Sequence, residues 1–228
     1  MPSARQVEIE EPPERHASLD LQLLTREIHA SKINYLNSVH GRGKVLFAEG
    51  EPARGVYILR SGRAAVSISS SEGRIVILRM AQTGDMLGLN SVLRGFAYDT
   101  NVKTVEPCRA DFIPRVDLLE LMGASPAGTQ AIMKLLSQEL SELTARTRLL
   151  LLPQTASSRL AKLMLEWGSQ SVRIDRVFTH EEIAQMICSS RETVTRLLAS
   201  MSRRDIIAVT SDSILIRDHA ALARMALE

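Results

Sequence analysis

An α+β fold is predicted for this 228-residue chain. Its parts, in order, are a small antiparallel barrel or sandwich, a long helix and a winged helix-turn-helix. Three observations carry that reading. β-rich runs alternate with glycine turns from about residue 40 to 114. Apolar residues then recur at spacings of three and four. Two short helix patterns with good caps and a hairpin pattern close the chain. A switch of hydrophobic period from two to 3.6 marks the change from strand to helix.

Composition sets the frame for each part. Hydrophobic residues make up 45% and charged residues 24%, which is globular and excludes disorder, a collagen repeat and a disulfide scaffold. The net charge of +2 supports neither a nucleic-acid nor a membrane partner by itself. Cys108 and Cys188 are the only cysteines, and no Cys-x-x-Cys occurs. They cannot make a four-ligand metal site alone, and a reduced cytoplasmic setting fits. The longest apolar run, Leu149-Leu150-Leu151-Leu152, is far short of the ~18 residues that span a bilayer. Residues 1–16 lack an apolar core, so no secretory signal is expected. This acidic, proline-broken stretch is expected to be disordered. It heads an N-terminal extension over 1–30.

The first folded unit is expected over 31–124. Lys44–Phe47, Gly55–Leu59, Ala64–Ile68 and Ile75–Leu78 read as strands, and Gly50, Gly62, Gly73 and Gly84 fall in the turns between them. Glycine suits such turns because it takes positive φ without a Cβ penalty.

The long helix follows over 125–152. Met133, Leu136, Leu140, Leu143, Thr147 and Leu150 form a heptad seam with one polar member. Leu135, Leu149, Leu151 and Leu152 widen the apolar surface, so the helix can face its own barrel and a second copy of the chain. Packing on the barrel alone is the other reading. Pro153 stops the helix and marks a hinge.

The last unit spans 153–228. Ala156–Trp167 is amphipathic. Thr179-His180-Glu181-Glu182 is a capping box: the Thr179 hydroxyl accepts from the third helical amide and Glu182 reaches back. Cys188-Ser189 is a tight turn, and Ser190 caps a second helix from Arg191 to about Arg203. Ile206–Val209 and Ile214–Ile216 make the hairpin, or wing. Once Val194, Leu197, Leu198 and Met201 are assigned inward, Arg191, Glu192, Thr195 and Arg196 form one outward face. Arginine can donate bidentately to guanine O6 and N7, and glutamate can accept from cytosine N4. The hydroxyls of Thr179, Ser189 and Ser190, with the positive helix N-termini, suit phosphates. A solvated helix face with an internal Glu192–Arg196 pair is the bland alternative. The unit carries ten Arg+Lys against nine Asp+Glu, so non-specific attraction is modest and the reading face must supply specificity.

This order of parts resembles the CRP/FNR family of bacterial transcription regulators. Ser190-Arg191-Glu192-Thr193-Val194-Thr195-Arg196 matches the family's recognition-helix signature. Gly50, Gly62, Gly73, Gly84-Asp85 and Gly88 match the glycine pattern of its β-roll. The resemblance covers about residues 35–220. It implies a cyclic-nucleotide-binding-like jelly roll, a dimerisation helix, and a homodimer on double-stranded DNA. Arg191, Glu192 and Arg196 would read a TGTGA-like half-site in an inverted repeat. RNA polymerase is a further partner that it implies, although no contact motif stands out. No cofactor and no enzymatic activity are expected, since neither a cupin His-x-His ligand set nor a nucleophile–His–acid set is present.

Departures from the family pattern bear on the effector. Gly88-Leu89-Asn90 stands where the cyclic-AMP branch carries Gly-Glu-Leu, and Tyr98-Asp99 where it carries Arg-Ser. The resemblance therefore implies an effector region of Gly88, Leu89, Tyr98, Asp99 and Thr144 without cyclic-AMP control, because Asp99 repels a phosphate and leaves it unpaired. The cysteine-rich iron–sulfur branch is excluded. Control by another small effector, or by oxidation of Cys188, is the alternative. Cys188 lies near a helix start and Arg191, a setting that favours thiolate; a small buried turn residue is its other reading. Asp212 in the wing and His180 in the first helix weaken the phosphate contacts.

Overall fold

The computed structural model describes residues 19–31, 33–151, 155–168, 173–175, 178–210 and 213–227. The stretch 1–16, Pro153 and Asp212 therefore lie outside the described residues, together with the expectations placed on them. The described chain runs α1 (Leu19–Ala30), β1 (Leu36–His40), β2 (Val45–Phe47), β3 (Gly55–Ser61), β4 (Ala64–Ser69), β5 (Ile75–Ala81), β6 (Met86–Leu87), α2 (Leu89–Arg94), β7 (Asn101–Thr104) and β8 (Cys108–Pro114). It continues through α3 (Arg115–Ala124), α4 (Pro126–Leu151), α5 (Ala156–Gly168), β9 (Arg173–Asp175), α6 (His180–Met186), α7 (Arg191–Arg203), β10 (Ile207–Val209), β11 (Ser213–Ile216) and α8 (His219–Leu227).

Two four-stranded antiparallel sheets, β1-β8-β3-β6 and β2-β7-β4-β5, face each other as the roll. Val56, Ile58, Val102 and Ile113 fill the space between them. All four expected strands are present, and the turn glycines 50, 62, 73, 84 and 88 all have positive φ. At Gly62 the requirement is double. Its φ is +87°, and a Cβ would sit 2.4 Å from the Pro107 carbonyl oxygen, where no side chain fits.

Helix α1 was not foreseen. Leu21, Leu24 and Ile28 repeat at helical spacing and are buried, and α1 packs along α4. Helix α4 (Pro126–Leu151) lies within the 125–152 span expected for the long helix, and a shorter helix, α3, precedes it. Ser125 separates the two, and Pro126 begins α4 at the position where a missing N–H costs nothing. The Ser125 hydroxyl accepts from the Gly128 N–H at 2.9 Å and donates to Glu27 of α1 at 2.6 Å, so one side chain joins three helices.

Helix α4 has two apolar faces, as its wide stripe suggests. Ala131 and Ile132 are fully buried on the roll, whereas Met133 and Leu140 are 64% and 66% exposed. Thr147 is exposed, and Leu136, Leu143 and Leu150 are half-buried. A second core forms around the C-terminal unit and crosses the domain boundary. Ala65, Ile77 and Val105 of the roll join Ile183, Met186, Val194, Leu198 and Leu222.

Candidate nucleic-acid interface

The helix-turn-helix is set by local chemistry. The Thr179 hydroxyl accepts from the Glu182 amide at 3.2 Å, and the Glu182 carboxylate accepts from the Thr179 amide at 2.6 Å. Both halves of the capping box are therefore made. Thr179 also gives its hydroxyl proton to Glu182, at 2.9 Å. Its cap role consumes the donor that a phosphate contact would use. Ser190 caps α7 by accepting from the Thr193 amide at 3.2 Å, and Ser189 is half-buried in the turn. His180 Nδ1 lies 2.9 Å from the Thr195 hydroxyl, which donates to the Arg191 carbonyl at 3.0 Å. The first helix is thereby tied to the second at the reading end.

Arg191, Glu192, Thr195 and Arg196 are all exposed, while Val194, Leu198 and Met201 of the same helix are buried. The four polar residues share one face near the helix start. Glu192 does not pair with Arg196. Its own backbone N–H, then the Ser190 hydroxyl and the Arg191 charge, hold its carboxyl below the usual range. The carboxylate is thus ionised and held at the N-terminus, where the helix dipole also favours it. Arg196 is left facing solvent.

Cys188 is exposed, which rules out its reading as a buried turn residue. Its φ of +48° is left-handed, a conformation that strains a residue with a Cβ. Cys108 is buried, as expected of a structural cysteine.

Three arginines from outside the helix-turn-helix reach it. Arg146 of α4 donates to the Met186 carbonyl at the end of α6 and, at 3.1 Å, to the Ile77 carbonyl of β5. Arg159 of α5 donates to the Ile187 carbonyl at 2.7 Å. Arg42 of the roll lies 3.8 Å from Glu182. Sequence reasoning missed all three. For Arg146 and Arg159 the only signal was an arginine within an apolar helix pattern, which cannot name a carbonyl partner; Arg42 lies in a turn that carries no such signal.

The five expected effector residues do not converge. Gly88, Leu89 and Asp99 line one cavity of about 670 Å³ between the roll and α4. Tyr98 belongs to the core. It is buried, stacks on Phe47 at 3.8 Å, and donates its hydroxyl to the Gly55 carbonyl at 2.5 Å. Asp99, the next residue, lies in a bend before β7 and reaches the cavity instead. Gly88 is needed because of Tyr98, whose ring would lie 2.7 Å from a Cβ there. Thr144 is exposed and spends its hydroxyl on the Leu140 carbonyl, at 2.9 Å. It does not line the cavity. Glu139 and Asn90 do, and neither was singled out as a site residue.

Comparison with known proteins agrees with this geometry. Residues 39–125 match the model of the cyclic nucleotide-binding domain, and residues 158–225 match that of the Crp-like helix-turn-helix domain. A CRP-like cAMP-activated global transcriptional regulator of Mycobacterium tuberculosis is 30% identical over 191 residues, covering 81% of this chain and 85% of that protein. The chain belongs to the CRP/FNR family of transcription regulators. A second CRP/FNR relative, the fumarate and nitrate reduction regulatory protein of Vibrio cholerae, is 28% identical over 192 residues, 81% of this chain and 76% of that one. Among solved structures, FixK2 from Bradyrhizobium japonicum superposes with a TM-score of 0.75 at 20% identity, over 85% of this chain and 98% of that one. That likeness concerns the fold. CRP/FNR proteins are transcription regulators rather than enzymes, and α7 lies within the Crp-like helix-turn-helix domain. No described helix is long and apolar enough to cross a membrane.

Proposed function

We propose that this CRP/FNR regulator works as a homodimer that reads a TGTGA-like inverted repeat and does so without cyclic AMP. The carrying observation is the exposed Arg191, Glu192 and Arg196 face of α7, set against the buried Val194, Leu198 and Met201 of the same helix. Arg191 and Arg196 donate to guanines and Glu192 accepts from cytosine. Thr195 positions His180 at the first helix, and Ser189 and Ser190 sit beside the phosphates. Action on DNA places the protein in the bacterial cytoplasm, with RNA polymerase as its downstream partner.

The homodimer rests on the outer face of α4. Met133 and Leu140 are exposed in the heptad pattern, and a second α4 would cover them as knobs against holes. Two recognition helices would then enter successive major grooves about 34 Å apart. The absence of cyclic-AMP control is supported by Asp99, a carboxylate on the wall of the roll cavity.

Fluorescence anisotropy with a TGTGA inverted-repeat duplex tests this, with a scrambled duplex at the same salt and cyclic AMP present or absent. Specific binding without the nucleotide is expected. A strict requirement for cyclic AMP would overturn the effector part, and equal binding to both duplexes would overturn the operator.

A further inference from the structure

The cavity between the roll and α4 is mostly apolar. Its floor is Val66, Ile68 and Leu87, and α4 closes it with Leu136, Leu140 and Leu143. At about 670 Å³ it lies within the usual range of small-molecule sites. Its polar groups have an unusual bias. Asp99 Oδ2 accepts from the Asn90 amide at 2.7 Å, and Oδ1 accepts from the Ser91 hydroxyl at 3.0 Å. Asn90, on the lining, and Ser91, beside it, thus both direct a donor to a carboxylate of the protein itself. Arg79, the cation on the lining, is held by Asp85 at 2.6 Å, Glu139 at 3.6 Å and Glu142 at 4.0 Å.

Glu139 stands on the α4 wall with Asp99 across from it. Burial raises the Glu139 carboxyl above its usual range, Arg79 opposes that rise, and the charge of Asp99 adds to it. Two carboxyl groups thus line one cavity, one on the roll and one on α4. A ligand anion would meet two like charges and no uncommitted cation. A ligand ammonium would donate to both acids and relieve their repulsion.

We propose that this cavity binds a compact apolar amine, its body against the Val66–Ile68–Leu87 floor and its ammonium between Asp99 and Glu139. The proposal rests on reading the roll as the regulator's sensor. It deepens that reading by naming the ligand's chemical class. Leu140 and Leu143 line the cavity and belong to the α4 seam, so occupancy reaches the dimer contact directly.

Three probes of one shape and different head groups test the charge rule: adamantan-1-amine, adamantan-1-ol and adamantane-1-carboxylate. They are titrated calorimetrically into the full chain, with cyclic AMP as a fourth ligand. The amine should bind at least about tenfold more tightly than the carboxylate, with the alcohol between them. Glu139→Gln should bring the amine down to the alcohol's affinity, and Asp99→Asn repeats the test from the opposite wall. Ile68→Trp, which fills the floor from a partly exposed position, should remove all binding at an unchanged melting temperature. Carboxylate or cyclic AMP binding as well as the amine would overturn the proposal, and so would no binding by any probe. Duplex anisotropy on the same samples separates the two readings. Retained operator preference with no amine binding overturns only the cavity; amine binding without operator preference overturns only the operator.

Discussion

At the scale of single residues, side chains of one helix divide into those that fold it and those left to read. Ser190 belongs to the first group. Ser190→Ala should cost about 1 kcal/mol by removing the cap that the Thr193 amide uses, measured by denaturant unfolding. Arg191 and Arg196 belong to the second. Each changed to Ala should cost about 1–3 kcal/mol of operator affinity at one base position and relax the preference there. Weakening that is uniform over all base substitutions would mean phosphate contacts instead. Glu139 gives a pH prediction whose sign follows from its raised folded-state pKa, caused first by burial. The folded protein keeps this proton where the unfolded chain releases it, so the stabilisation is present below the unfolded value and is lost as pH rises through the folded one. Glu139→Gln removes that dependence. The variant's melting temperature relative to the native protein should therefore rise between pH 4.5 and 8, and a relative fall would contradict the assignment.

At the scale of elements, α4 carries the most consequence. Its inner face is committed to the roll, with Ala131 and Ile132 fully buried. Ile132→Ala should cost about 2–5 kcal/mol of stability, through lost transfer energy and the cavity left behind. Its outer face holds Leu140, 66% exposed. Leu140→Glu should leave the fold intact and shift sedimentation at micromolar concentration from dimer to monomer. A variant that stays dimeric would place the interface elsewhere. Helix α6 is the other decisive element. Guanidinium groups from α4 and α5 reach the carbonyls at its C-terminal end, Met186 and Ile187, so the turn before the recognition helix is held by two separate helices.

At the scale of the whole molecule, the roll and the DNA-binding unit are not independent beads. Ala65, Ile77 and Val105 share a core with the helix-turn-helix, and Arg146 joins β5 to α6 across the same boundary. Arg146→Ala should speed limited proteolysis of the chain, since contacts that dock the unit are lost. Unchanged cleavage would show that the shared apolar core holds the docking alone. In a dimer, a ligand against α4, the seam and the α6 carbonyls would lie along one helix, a continuous route by which differential binding could shift conformational populations.

Much of this was legible in the amino-acid order. The glycine turns, the α4 stripe, the capping box at Thr179, the Ser190 cap and the α7 span Arg191–Arg203 all depend on neighbours within a few residues. So does the outward set Arg191, Glu192, Thr195 and Arg196, because helical period alone places those four on one face. Helix α1 was equally local, in the spacing of Leu21, Leu24 and Ile28, but its proximity to the acidic stretch masked it. Other features needed the tertiary structure. Tyr98 and Asp99 are adjacent in the chain, yet one enters the core and the other the cavity wall. Glu139 meets Arg79 across sixty positions, and Arg146 finds carbonyls at Ile77 and Met186. Local order determined the elements and the reading face, because caps, turns and periodicity act over one or two helical turns. Tertiary packing decided which charges are paired, which side chains line the cavity and how the two units join, because those energies depend on burial and on partners far away in sequence.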